Sequence, residues 1–156
     1  MNTAVDERNP SLVWVKLCDE ATLALAEEPL LASYVYNCIL NHRSLASALS
    51  VILANKLADE VMSAVSLREL FEEAFDAEPK LILAASADIR AVYERDAATS
   101  AYLPVVLYLK GFQSIQVHRL AASSAAPPRT TRQSAMTAPA PSHFSVSKAS
   151  SSATAS

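Results

Sequence analysis

Apolar residues recur at helical spacing through the first 121 positions, and breaks in that spacing coincide with capping and turn residues. Asn9-Pro10 supplies a cap and a first helical residue, and Val13, Leu17, Ala21 and Ala24 follow along one face. Pro29 predicts the start of a second helix through Leu30, Leu31, Val35, Ile39 and Leu40. Ser44 caps a third, with Leu45, Leu49, Ile52, Leu53 and Leu57 as its buried stripe. Ser66-Leu67-Arg68-Glu69 reads as a capping box, in which hydroxyl and carboxylate reciprocally satisfy free amides of a first turn. Behind it come Leu67, Leu70, Phe71, Ala74 and Phe75, with Arg68, Glu69, Glu72, Glu73 and Asp76 opposite. Arg68 and Glu72 stand one turn apart and can pair weakly. Pro79 opens a helix carrying Leu81, Ala85, Ile89 and Val92. Pro104 begins another at Val105 to Leu109, Gly111 interrupts it, and a last stretch runs from Phe112 through Ile115 to Leu120. About seven short helices with short connections predict a compact all-α domain over residues 1–121, with antiparallel neighbours.

The pattern stops after residue 121. Of the 35 residues 122–156, 27 are Ser, Ala, Thr or Pro. Such a stretch offers too little apolar surface to offset its ordering entropy, so a disordered tail is expected there. Composition supports the helical reading of the rest. The whole chain has one glycine, Gly111, which disfavours turn-rich β folds and glycine-rich phosphate loops. Charge is divided: all 16 acidic residues precede residue 97, and ten of the 13 basic ones lie in residues 1–121, so the body carries −6 and the tail +3. An acidic body argues against a phosphate-binding surface, and three scattered cations make no nucleic-acid arm. No apolar run approaches the ~20 residues of a membrane span, and Asp6 and Glu7 do not suit a secretory signal. A soluble cytoplasmic protein is expected.

Candidate chemistry is sparse. Cys18 and Cys38 have neither metal-ligand spacing nor the density of a disulfide scaffold. His42 falls in a polar Asn-His-Arg turn, His118 beside Arg119 on the last helix near its C-terminus, and His143 in the tail. Glu27-Glu28 and Glu72-Glu73 sit side by side on helix surfaces, and Tyr34, Tyr36, Tyr102 and Tyr108 read as core or interface aromatics. Asp96, at the break after Arg95, reads either as a cap for a short helical turn or as a carboxylate that holds a substrate amine or orients a hydroxyl. No nucleophile–base constellation can be assembled from spacing alone.

An ordered set of segments resembles the N-terminal domain of serine acetyltransferases. It comprises Glu28-Pro29-Leu30-Leu31-Ala32-Ser33, Ile39-Leu40-Asn41-His42 with Ser44-Leu45, Ala48-Leu49-Ser50, and Leu53-Ala54-Asn55-Lys56-Leu57. It continues with Leu67-Arg68-Glu69 into Glu72-Glu73-Ala74-Phe75, Asp88-Ile89, Arg95-Asp96, Leu107-Tyr108-Leu109-Lys110-Gly111-Phe112 and Gln116-Val117-His118-Arg119. The resemblance covers about residues 12–120. It implies a helical domain that precedes a left-handed β-helix of hexapeptide repeats, where the family binds acetyl-CoA and keeps the histidine that deprotonates serine. It implies self-association through helical faces, in a hexamer made of two trimers. It also implies that Asp96 matches a serine-contacting aspartate of an Arg-Asp-Pro-Ala stretch, although Ala97 stands here in place of that proline.

After Arg119 the resemblance ends, where the family continues through a Trp-rich amphipathic helix into the repeats. A premature end, a shifted reading frame or a misassigned splice site would each give that break. The acetyl-CoA site, the catalytic histidines and the tail that contacts cysteine synthase have no counterpart, so the chain is expected to bind no cofactor and to be inactive alone. A non-catalytic oligomerisation or interaction module is the alternative.

Overall fold

The computed structural model describes residues 9–124. The chain folds as α1 (Pro10–Glu27), α2 (Ala32–Val35) running on as a π-helical turn (Tyr36–Leu40), α3 (Leu45–Leu57), α4 (Ala64–Ala77), α5 (Lys80–Arg95), α6 (Tyr102–Tyr108) and α7 (Lys110–Ser124). Among the described residues there is no β-strand. The all-α expectation of about seven short helices holds. Helix α7 extends three residues past position 121, and the remainder of the expected tail, His143 included, lies outside the described residues.

Helix starts follow local chemistry. The Asn9 carboxamide oxygen accepts the Ser11 amide at 2.9 Å, with Pro10 in the first position, where no amide is required. The Ser44 hydroxyl caps α3 by accepting the Ser47 amide at 3.3 Å. In α4 the cap lies upstream of the one expected: Ser63 is extended and accepts the Ser66 amide at 3.1 Å, so the helix begins at Ala64 and Ser66 is already inside it. Two serines three residues apart offer the same signal, and the first takes the role. Asp59 organises the preceding loop, accepting the Val61 and Met62 amides at 2.8 Å each, and these bonds hold its carboxyl below the usual range.

The second helix also departs from expectation. Pro29 and Leu30 form a turn, the helix begins at Ala32, and Leu30 is 94% exposed. The chain then widens into the π turn, marked by the Asn41 amide donating to the Tyr36 carbonyl at 2.9 Å. The extra residue carries Val35, Cys38 and Ile39 together into the core.

The core is Leu, Ile and Val with Ala at close approaches. Leu17, Ile39, Leu49, Leu53, Ile89 and Leu107 are fully buried and come from four different helices and the π turn. Burying each contributes roughly 1.5–3 kcal/mol. Helices α3 and α4 form the most extensive pair. Long-range polar contacts close the remaining gaps. Ala101 cannot cap α6, and the Glu20 carboxylate of α1 accepts the Leu103 amide at 2.7 Å instead. Pro104 is thus the third residue of that helix rather than its first. The break between α6 and α7 lies at Leu109, whose backbone is extended (φ −77°, ψ 99°), while Gly111 is helical. The buried Gln113 amide donates back to the Val106 and Leu107 carbonyls at 2.9 and 3.0 Å, satisfying the last turn of α6.

Candidate functional site around Asp96

Helix α5 ends where its periodic pattern meets Asp96. The Asp96 amide still donates to the Val92 carbonyl at 2.9 Å, but its backbone is extended (φ −98°, ψ 105°). It is therefore the C-terminal cap of α5, and Ala101 occupies the position before α6. The side chain closes the turn that follows. One carboxylate oxygen accepts the Ala98 amide at 2.9 Å, the other accepts the Thr99 hydroxyl at 3.1 Å, and the Thr99 amide donates to the Asp96 carbonyl at 2.9 Å. Ala97 has none of proline's fixed φ, and these three bonds hold the turn in its place.

Asp96 is exposed. Each of its oxygens accepts one bond, leaving lone pairs for a further donor. It stands at the edge of an open groove of about 450 Å³ between α5 and the start of α7, whose apolar wall is Val92, Leu109, Phe112 and Ile115. Leu109 and Ile115 are themselves substantially exposed. Arg95 and Asp88 line the same groove. Asp88 is committed to α7: Arg119 binds it through both guanidinium nitrogens, and the Gln116 amide donates to it at 2.8 Å. Asp96 is thus a fixed acceptor on an open wall, able to orient an ammonium or a hydroxyl. Among the described residues its immediate surroundings hold no imidazole.

The remaining candidates are scattered. His42 lies in the α2–α3 connection, its Nε2 2.9 Å from the Asn37 carbonyl and its Nδ1 3.1 Å from the Ser47 hydroxyl, which in turn reaches Glu72 at 3.4 Å. Glu72 is paired with Arg68 at 3.1 Å as the spacing suggested. His118 is exposed on α7, but the helix runs to Ser124, so it is not in the last turn as expected. Cys38 is buried in the π turn and Cys18 half-buried on α1, both as free thiols. Burial pushes both thiols up, Cys18 with help from the Asp19 charge. Tyr102 is buried, whereas Tyr34, Tyr36 and Tyr108 are largely exposed, Tyr34 stacking on Tyr108 at 6.4 Å. Another cleft, of about 320 Å³ between α1 and α5, is filled at one end by the Lys16 ammonium, 4.0 Å from the ring centres of both Tyr93 and Tyr102. No described group of three or more His, Cys, Asp or Glu side chains has a geometry that would hold a metal. No described helix is long and apolar enough to cross a membrane. Sequence spacing missed Glu20, Asp88 and Gln113, because their partners are other elements of the fold.

Known proteins place this arrangement. The family model described as serine acetyltransferase, N-terminal, matches residues 13–117. The serine acetyltransferase of Haemophilus influenzae is 46% identical over 108 residues, which is 69% of this chain and 40% of that protein. The Escherichia coli enzyme is 44% identical over 109 residues, again covering 40% of its length. The structure of soybean serine acetyltransferase complexed with serine superposes with a TM-score of 0.71 at 43% identity, covering 76% of this chain and 48% of that one. The chain thus spans less than half the length of these relatives. The match runs from α1 into α7 and includes Asp96, and this chain belongs to the serine acetyltransferase N-terminal domain family.

Proposed function

We propose that this chain supplies the helical, substrate-facing part of a serine O-acetyltransferase, which moves an acetyl group from acetyl-CoA to the hydroxyl of L-serine in cysteine biosynthesis. The observation that carries the proposal is Asp96, exposed and fixed at the open end of α5 within a segment matched to the family. In this reading its carboxylate holds serine by the ammonium or hydroxyl. The reaction also needs a base to take the hydroxyl proton, so that the oxygen can attack the thioester carbonyl and coenzyme A leave as its thiol. The described residues beside Asp96 supply no such base and no acyl-donor pocket. We assign both to a β-helix of the assembled enzyme, seated against the apolar wall of Leu109, Phe112 and Ile115. The chain alone then binds neither acetyl-CoA nor another cofactor. The setting we assign is the cytoplasm, without nucleic-acid or membrane partners. Incubating the purified chain with acetyl-CoA and serine while following free thiol tests this; release stays at the uncatalysed rate, and turnover well above it overturns the assignment.

A second reading is favoured by one surface. Leu30, Leu31, Tyr34 and Tyr36 are exposed within seven residues, and Tyr34 stacks on exposed Tyr108. Such a patch suits self-association through helical faces, as in the family's hexamer, and co-assembly with a full-length enzyme. Light scattering of the chain mixed with a full-length serine acetyltransferase decides it: a new species of intermediate mass is expected, and two unshifted species refute it.

A further inference from the structure

Helix α7 borders the Asp96 groove with Gly111, Phe112 and Ile115, and presents another face to a second groove against α3. Lys110, Gln113, Ser114, Val117, His118 and Ala121 form that face, at the i, i+3, i+4, i+7, i+8, i+11 spacing of a single stripe. The stripe runs about 16 Å at 1.5 Å per residue. Across it, α3 contributes Leu53, Lys56 and Leu57. The groove holds about 550 Å³, within the range of small-molecule clefts.

Its electrostatics set it apart from the rest of the domain. The body carries −6, and two other clefts each include carboxylates, Asp88 and Asp96 in one and Glu94 in the other. The α3–α7 groove has no acidic residue in its lining and places Lys56, Lys110 and exposed His118 around an apolar floor of Leu53, Leu57, Val117 and Ala121. Neither Lys56 nor Lys110 takes part in the Arg68–Glu72 or Asp88–Arg119 pair, and no carboxylate lines the groove beside them. The polar groups of the buried Gln113 that face inward are already bonded to α6. An apolar floor bordered by two lysines in an acidic molecule selects a ligand with an apolar chain and an anionic head.

We propose that the α3–α7 groove binds a free single-chain carboxylate amphiphile, its chain along Leu53, Leu57 and Val117 and its carboxylate between Lys56 and Lys110. The site is separate from Asp96 and does not depend on the acetyl-transfer reading. Titrating the full chain with dodecanoate below its micelle concentration, followed by amide NMR, tests it, with dodecylammonium as a probe of the same chain and opposite charge. Saturable shifts centred on Leu57, Val117 and His118 are expected for dodecanoate alone. Affinity rises along octanoate, decanoate and dodecanoate by up to about fourfold per added methylene. The Lys56→Ala/Lys110→Ala double variant, at two exposed positions, keeps its helical circular dichroism and binds dodecanoate at least tenfold more weakly. Equal binding of the two probes, shifts spread over the whole surface, absence of saturation, chain-length independence, or a double variant within twofold of the parent each overturns the proposal. Preference for anionic vesicles over the free carboxylate overturns it as well.

Discussion

Single side chains decide where the elements of this domain begin and end. Ser63 carries the first turn of α4 by accepting the Ser66 amide, whereas Ser66 bonds only to the Ser63 hydroxyl at 3.0 Å. Replacing Ser63 by Ala should cost about 1 kcal/mol, the usual worth of such a cap. Replacing Ser66 by Ala should cost less than half of that. Paired thermal melts check the order, and equal losses would mean that the cap lies elsewhere. Asp96 is a contrasting case. Its three turn bonds are local and exposed, so Asp96→Asn should leave the melting temperature almost unchanged, within the ~0.5 kcal/mol typical of surface substitutions. A large loss of stability would recast Asp96 as a structural residue and weaken its assignment to substrate. Fixing an acceptor while leaving it open is what a residue requires when it serves a site completed by another part of an enzyme.

At the scale of elements, the α6–α7 junction shows why the sequence was legible in some places and not in others. Gly111 reads as the interruption because glycine is the usual breaker, yet it is helical and a Cβ there would meet nothing within 4 Å. Gly111→Ala should therefore stabilise the domain by about 0.5 kcal/mol, chiefly by restricting the unfolded chain, as chemical denaturation would show. The real break is held by Gln113, whose amide serves two carbonyls of α6, so Gln113→Ala should cost about 1–3 kcal/mol by leaving buried acceptors unmet. A loss below ~0.5 kcal/mol would remove that role. Helices α1 and α3 could be read from the chain because their caps and stripes are local, and α5 from its leading proline and its stripe. The start of α2, the Glu20 cap on α6 and the Asp88–Arg119 pair could not, since each depends on a partner that only the fold supplies. Asp96 was visible as a break from spacing, but its link to serine came only through the family resemblance. Its turn with Thr99 is set by the folded backbone rather than by spacing.

The described residues form a small helical body in which burial favours the protonated form of a few titratable groups. Burial pushes the Cys38 thiol up, although the Tyr34 hydroxyl bond and the Lys56 charge pull the other way. Burial together with the neighbouring Cys38 pushes Tyr34 up to about 12. Both groups are neutral when protonated, and both hold their protons to higher pH when folded than when unfolded, where a thiol titrates near 8.5 and a phenol near 10. Between the unfolded and folded values the native state binds more protons, so the slope of unfolding free energy with pH is negative. Stability present below pH ~8.5 is then lost progressively as the pH rises, first through the thiols and then through Tyr34. Cys18, raised by burial and by Asp19, acts in the same direction. Urea unfolding at pH 7.5, 8.5 and 9.5 should show a falling midpoint at constant m, since the surface exposed on unfolding does not change. Cys38→Ala should be less stable than the parent at pH 7.5, because a buried side chain is shortened, and yet lose less on going to pH 9.5. The two stability lines therefore converge with pH. Parallel lines would show that the π-turn thiol does not sense folding, and a midpoint independent of pH would show that burial of these groups is too slight to matter.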